Sequence, residues 1–181
     1  MSTNRQKSFI AELATSSGHL HFPRLTHGKN VTTPVMGLFD FSPTQIDVSN
    51  FLCIDDNKPR ATLRFYFRCT GDYYHLYIRT PGAYYGKILG RNDDDILTAV
   101  HDEEATAFNL IDKNGKIITL DNLTSNKSSL IIQTIHGSAL TRRKQSDEGY
   151  FVYGGGGGAR LNFYLNIIER NASYVSHPDE I

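Results

Sequence analysis

Two adjacent tyrosines, Tyr84 and Tyr85, stand a short segment before Asn92-Asp93-Asp94-Asp95. A tyrosine ring offers a flat, electron-rich face to C–H groups, and Asn and Asp offer paired donors and acceptors to neighbouring hydroxyls. Tyr84, Tyr85, Asn92 and Asp94 are therefore the candidate carbohydrate-binding residues, provided that Gly86–Arg91 returns one group to the other as a hairpin would. The acidic loop lacks the Gly and the distal Glu of an EF-hand. Its plain alternative is a solvated turn that keeps a strand edge from aggregating.

Other residue types with chemical potential lead less far. His19 and His21 project from one face of a strand and His27 follows, but zinc needs three or four ligands in tetrahedral disposition and no fourth is fixed. Exposed strand histidines are expected, with no bound metal. Gly154–Gly158 with Ala159 satisfies G-x-G-x-x-A, whose mechanism requires a helix N-terminus beneath a pyrophosphate and then a further strand carrying an acidic residue. Too little chain follows Gly158 for that unit, and Gly-Lys-Ser/Thr is absent, so a mobile glycine loop without a nucleotide is expected. G-x-S-x-G is also absent, and Asp102, Glu103 and Glu104 read as an ordinary surface turn. No catalytic activity and no cofactor are expected.

The chain has 181 residues, with 19 Lys+Arg against 19 Asp+Glu. Zero formal charge argues against nucleic acid or an anionic membrane as the main partner, since both need clustered cations. Arg142-Arg143-Lys144 is the one basic cluster and reads as a solvated strand end. The first twenty residues lack a secretory h-region and no run reaches transmembrane length. A soluble product is expected, cytoplasmic or released without a classical signal peptide. Cys53 and Cys69 are too few for a disulfide framework. Cys69 continues the inward face of Phe65 and Phe67, so a buried thiol is favoured, and an oxidising setting would allow a bridge to Cys53.

These residues must be positioned by strands. In Tyr73–Leu120, short apolar runs alternate with turn residues, Leu76 and Ile78 on one side and His75, Tyr77 and Arg79 on the other. Ala61–Thr70 is the clearest strand, with Leu63, Phe65, Phe67 and Cys69 facing in. Phe9–Thr15 and His19–Arg24 read as a first strand pair turned at Ser16-Ser17-Gly18, Thr26–Thr33 as loop, and Val35–Phe41 as a third strand. Ser42–Arg60 is the least regular part. The expected organisation is one all-β domain over residues 1–170 and a polar tail over 171–181.

ATLRFYF at 61–67, ATAFNLI at 105–111 and ARLNFYLNI at 159–167 share a pattern, each opening on Ala and then placing Phe with a second apolar residue on one face. The anchors are Phe65, Phe108 and Phe163, each preceded by a strand pair and a polar loop. Three diverged four-strand units of this length resemble the β-trefoil fold, with a jelly-roll or another β-sandwich as the alternative. The resemblance is to architecture and covers most of the chain. It implies a lectin-like module whose partner is a glycan or glycoprotein. A protein-binding module, such as a protease inhibitor or a toxin's receptor-binding component, is the alternative. The chain has no Trp, so the Gln-x-Trp signature of ricin-type repeats is missing, and the first unit carries an insertion at Ser42–Arg60.

Overall fold

The computed structural model describes residues 2–35, 42–55, 61–146 and 149–173. Six strands close a barrel: β1 (Phe9–Thr15), β2 (Leu63–Thr70), β3 (Tyr73–Ile78), β4 (Phe108–Ile111), β5 (Lys127–Thr134) and β6 (Phe163–Arg170). Each pairs antiparallel with its neighbours in chain order, β3 meets β4 at Tyr74 and Phe108, and β6 returns to β1. Alternation drives this arrangement. Leu63, Phe65, Phe67 and Cys69 bury their side chains, while Arg64 stands outside.

One register relation occurs three times. Phe65 pairs with Ala11 on one side and Ile78 on the other. Phe108 pairs in the same way with Tyr74 and Thr134, and Phe163 with Leu130 and Thr15. Ile78, Thr134 and Thr15 each end their strand. All three phenylalanines are fully buried.

The chain leaves the barrel after β1, β3 and β5, and each excursion contains a strand pair: His19–His21 with Cys53–Asp55, Ile88–Arg91 with Leu97–Val100, and Thr141–Ser146 with Gly149–Tyr153. The first and third join in one five-stranded sheet that includes Ala159–Arg160. The second is tied to them by Leu52 N–H donating to the Leu97 carbonyl at 2.8 Å and by the Ile96–Tyr153 bridge. Together they cover the barrel end where the three phenylalanines lie.

At the other end Phe9 stacks on Phe67, ring centroids 4.5 Å apart, and Tyr74 packs edge-on against both. The Tyr74 hydroxyl donates to the Lys7 carbonyl and accepts from the Leu120 amide, and its burial pushes its pKa up.

Several expectations change. The turn at Ser16-Ser17-Gly18 forms, closed by the Thr15–Gly18 bridge with Thr15 Oγ1 donating to the Gly18 carbonyl and accepting from Ser17 N–H, but beyond it His19–His21 pairs with Cys53–Asp55 and not with β1. Thr26–Thr33 is not all loop. Pro23 opens a short helix, Pro23–His27, that Gly28 closes at φ 69°, and a strand follows at Thr32–Val35, paired with Thr44–Asp47. The rest of the strand expected over Val35–Phe41 lies outside the described residues, as does the tail from Tyr174. Cys53 and Cys69 are both buried thiols and are not bridged to each other, and burial raises the Cys69 pKa. Ala172 is 1% exposed and seated on the barrel wall, so the packed chain extends past residue 170. Among the described residues no helix is long and apolar enough to cross a membrane.

Candidate functional site

The residues singled out for sugar binding lie before and after one strand. Tyr84 is buried, its ring edge-on to Phe22 at 5.4 Å between centroids, and burial raises its pKa. Tyr85 is exposed, and its hydroxyl accepts from Arg79 at 2.8 Å. Both precede the strand Ile88–Arg91, whereas Asn92 and Asp94 lie in the turn at its far end. At about 3.3 Å per residue, four extended residues separate the two groups by roughly 13 Å. The Asn92 side-chain oxygen accepts from the Asp94 and Ile96 amides, so it caps the turn. Asp94 is exposed at the hairpin tip.

The glycine loop is tied down. Gly154 N–H donates to the Asp95 carbonyl at 2.8 Å. Thr141 Oγ1 and Arg143 Nε both donate to the Gly157 carbonyl, and Arg143 Nη2 donates to that of Gly156. Arg143 also lies over the Tyr153 ring and Arg142 over that of Tyr150. Arg142 and Arg143 thus brace the cap. Of the histidines, His19 is exposed and His21 is buried within the cap sheet. Among the described residues no group of three His, Cys, Asp or Glu side chains could hold a metal ion.

A different set does come together, on the outer wall of the barrel. Residues that alternate with the buried ones on β5, β6 and β1 line an open concavity of about 480 Å³. Register builds it in two rows. Asn166 faces Lys127 on one side and Glu12 on the other, and Glu12 faces Arg64. In the next row Tyr164 faces Ser129 and Ala14. Glu12 Oε2 accepts from Asn166 Nδ2 at 3.0 Å, and Oε1 accepts from Arg64 Nε and Nη2 at 3.3 and 3.2 Å. The neighbours of Tyr164 are too small to cover it, and it remains 48% exposed.

Tyr66 makes the contrast. It follows Phe65 as Tyr164 follows Phe163, and so holds the same register position on β2. Its cross-strand neighbours are Ile10 and Tyr77. Its hydroxyl donates to the Ala172 carbonyl at 3.3 Å, and the residue is 2% exposed. The third such position is Asn109, which faces Gln133. No protein-family description, curated protein or solved structure matches the chain.

Sequence reasoning passed over Tyr164, Asn166 and Glu12. The alternation in Phe163–Ile167 places Tyr164 and Asn166 on the outward face, which was the available signal. That Ala14, Ser129 and Glu12 would flank them depends on register between distant strands.

Proposed function

We propose that this chain is a carbohydrate-binding, lectin-like module of β-trefoil architecture, and that its site is the Tyr164 groove. The architectural part is supported by the recurring register of Phe65, Phe108 and Phe163 and by the three strand pairs that leave the barrel. Fold alone carries no activity, so the function rests on the site. The observation that carries it is the bare Tyr164 ring beside a polar row. Leaving about half of such a side chain in water forgoes part of the roughly 1.5–3 kcal/mol that full burial would return, and the equivalent tyrosine on β2, Tyr66, is covered.

A pyranose suits that surface. Its C–H face packs on the Tyr164 ring, while its hydroxyls reach Asn166, Glu12 and the Ser129 hydroxyl, which together supply both donors and acceptors. The volume lies within the range of small-ligand sites. The groove is open, so binding to a single sugar is weak and avidity depends on several chains acting together.

A glycan array read with wild type, Tyr164→Ala and Asp94→Ala tests this. Glycans retained by wild type and Asp94→Ala, and lost by Tyr164→Ala, are expected. Loss in Asp94→Ala alone would move the site to the hairpin tip.

A second reading, a protein-binding module, is favoured by one observation. The chain's own segment at Ala172 lies on Tyr66, with Ala172 N–H donating to the Ser8 carbonyl, so an outer-wall tyrosine can take a peptide. The cross-strand neighbours there, Ile10 and Tyr77, are large and enclose the ring, however, whereas those of Tyr164 are the small Ala14 and Ser129. An array with no bound glycan would transfer the weight to this reading.

A further inference from the structure

We infer that the sugar taken by the Tyr164 groove carries one negative charge, as a ring carboxylate or sulfate ester, and that Lys127 is the residue that reads it. This rests on the carbohydrate reading above and narrows it to a ligand class.

The argument is a balance of charge along one cross-strand row. Lys127, Asn166, Glu12 and Arg64 lie side by side across four strands. The charge of Glu12 is matched: Arg64 holds one oxygen and Asn166 donates to the other, which keeps room to accept from a hydroxyl. Glu12 and Arg64 therefore neutralise each other, and Glu12 has little capacity left to attract a cation or to repel an anion. Lys127 is different. It is exposed, and among the described residues its ammonium has neither a carboxylate partner nor a hydrogen-bond acceptor. In a chain of zero formal charge, this row is left with one cation unmatched, at the rim of the concavity that holds the bare ring.

A pyranose on Tyr164 would have its ring substituents directed across Asn166, and the Lys127 stem is long enough to bring its ammonium to a substituent at that edge. One cation selects one charge. A polyanion would need a run of cations and would show a steep salt dependence, and this row offers neither. Lys127 is a point charge without a fixed fork, so carboxylate and sulfate are both compatible with it.

The test uses the full chain, labelled with 15N, titrated with three matched oligosaccharides that differ only in the terminal residue: glucose, glucuronic acid, and glucose bearing one sulfate ester. Wild type and Lys127→Gln are compared at low and high salt. The expected result is a roughly two- to fivefold preference of wild type for one or both charged ligands at low salt, reduced at about 0.5 M salt. Lys127→Gln should lose that preference while binding the neutral ligand as before. Whichever charged arm is preferred identifies the anion. Equal affinity for all three, or a preference that survives in Lys127→Gln, would overturn the inference and leave the carbohydrate reading standing. If none of the three binds, the inference fails, and if the wild-type glycan array is also blank the carbohydrate reading falls with it.

Discussion

Asn166 donates to Glu12 across the seam between β6 and β1, Nδ2 to Oε2 at 3.0 Å. The contact joins the last barrel strand to the first. Replacing Asn166 by Asp would set two carboxylates opposite each other on adjacent strands. Like charges in that position destabilise by about 0.2–1 kcal/mol. Urea unfolding at pH 7 should register a loss of that size, and the loss should shrink near pH 4 as the carboxyls protonate. Equal stability of Asn166→Asp and wild type at pH 7 would mean that the two side chains do not meet.

Phe108 lies at the head of β4 with Tyr74 and Thr134 on its two sides, fully buried. Truncation to Ala should cost about 3–5 kcal/mol, as for other buried aromatics. Because Phe65 and Phe163 hold the same register position, their Ala variants should fall in the same range. A loss below about 1 kcal/mol at any one of them would break the equivalence.

How legible this fold was follows from where its information sits. The inward faces of β2 and β3 are written in alternation, since Leu63, Phe65, Phe67 and Cys69, like Leu76 and Ile78, recur every second residue. The anchors Phe65, Phe108 and Phe163 were visible for the same reason. Pairing was not. His19–His21 follows β1 closely in sequence and the Thr15–Gly18 turn forms, yet its partner is Cys53–Asp55, a segment more than thirty residues on. The site shared this difficulty. Tyr84 and Tyr85 were suggested by their closeness to Asn92 along the chain, and the extended strand between them is what keeps them apart. Tyr164, Ala14 and Ser129 are neighbours only through register.

The glycine loop gives a prediction with an internal control. A Cβ on Gly155 would overlap the Asp95 carboxylate and come within 2.8 Å of the Asp95 Cβ, whereas one on Gly156 would meet nothing within 4 Å. Asp95 cannot easily yield, because its carboxylate pairs with Arg91 at 2.8 Å. Gly155→Ala should therefore cost about 1–3 kcal/mol by overpacking. Gly156→Ala should cost about 1–2 kcal/mol, only the penalty of an L-residue in the left-handed region. Thermal unfolding of the two variants would check the order, and a less stable Gly156→Ala would show that loop conformation, not the Asp95 contact, limits the site.

His75 supplies the pH dependence. Burial, and secondarily the Arg68 guanidinium, lower its pKa below the ordinary value of 6.5, against a weaker opposing pull from Asp102. A depressed histidine leaves the folded state with fewer bound protons than the unfolded chain. The stability it confers is complete above about pH 6.5 and declines as pH falls from there through the folded-state value. Denaturant midpoints measured between pH 8 and pH 5 should fall in wild type, and the slope should be shallower in His75→Gln. An unchanged slope would mean that His75 titrates alike in both states.

The number of sites per chain follows from comparing the three register-equivalent positions. Tyr164 is bare because Ala14 and Ser129 are small. Tyr66 has a ring as well, but Ile10, Tyr77 and the Ala172 segment enclose it, and uncovering it would expose apolar surface worth more than an open groove returns in binding. Asn109 has no ring to stack on. A single chain should therefore bind one ligand, with one contiguous set of shifted amides in β5, β6 and β1. Calorimetry with a monovalent glycan should return a stoichiometry near one, and Tyr164→Ala should abolish the heat. Deleting the segment from Ala172 onward would expose Tyr66 still flanked by Ile10 and Tyr77, without the small neighbours that open the groove at Tyr164, so it should add no second site. A stoichiometry of two or three in wild type, or shifted amides around Tyr66 and Asn109, would show that the outer wall binds through its repeated backbone geometry and not through the side chains gathered at Tyr164.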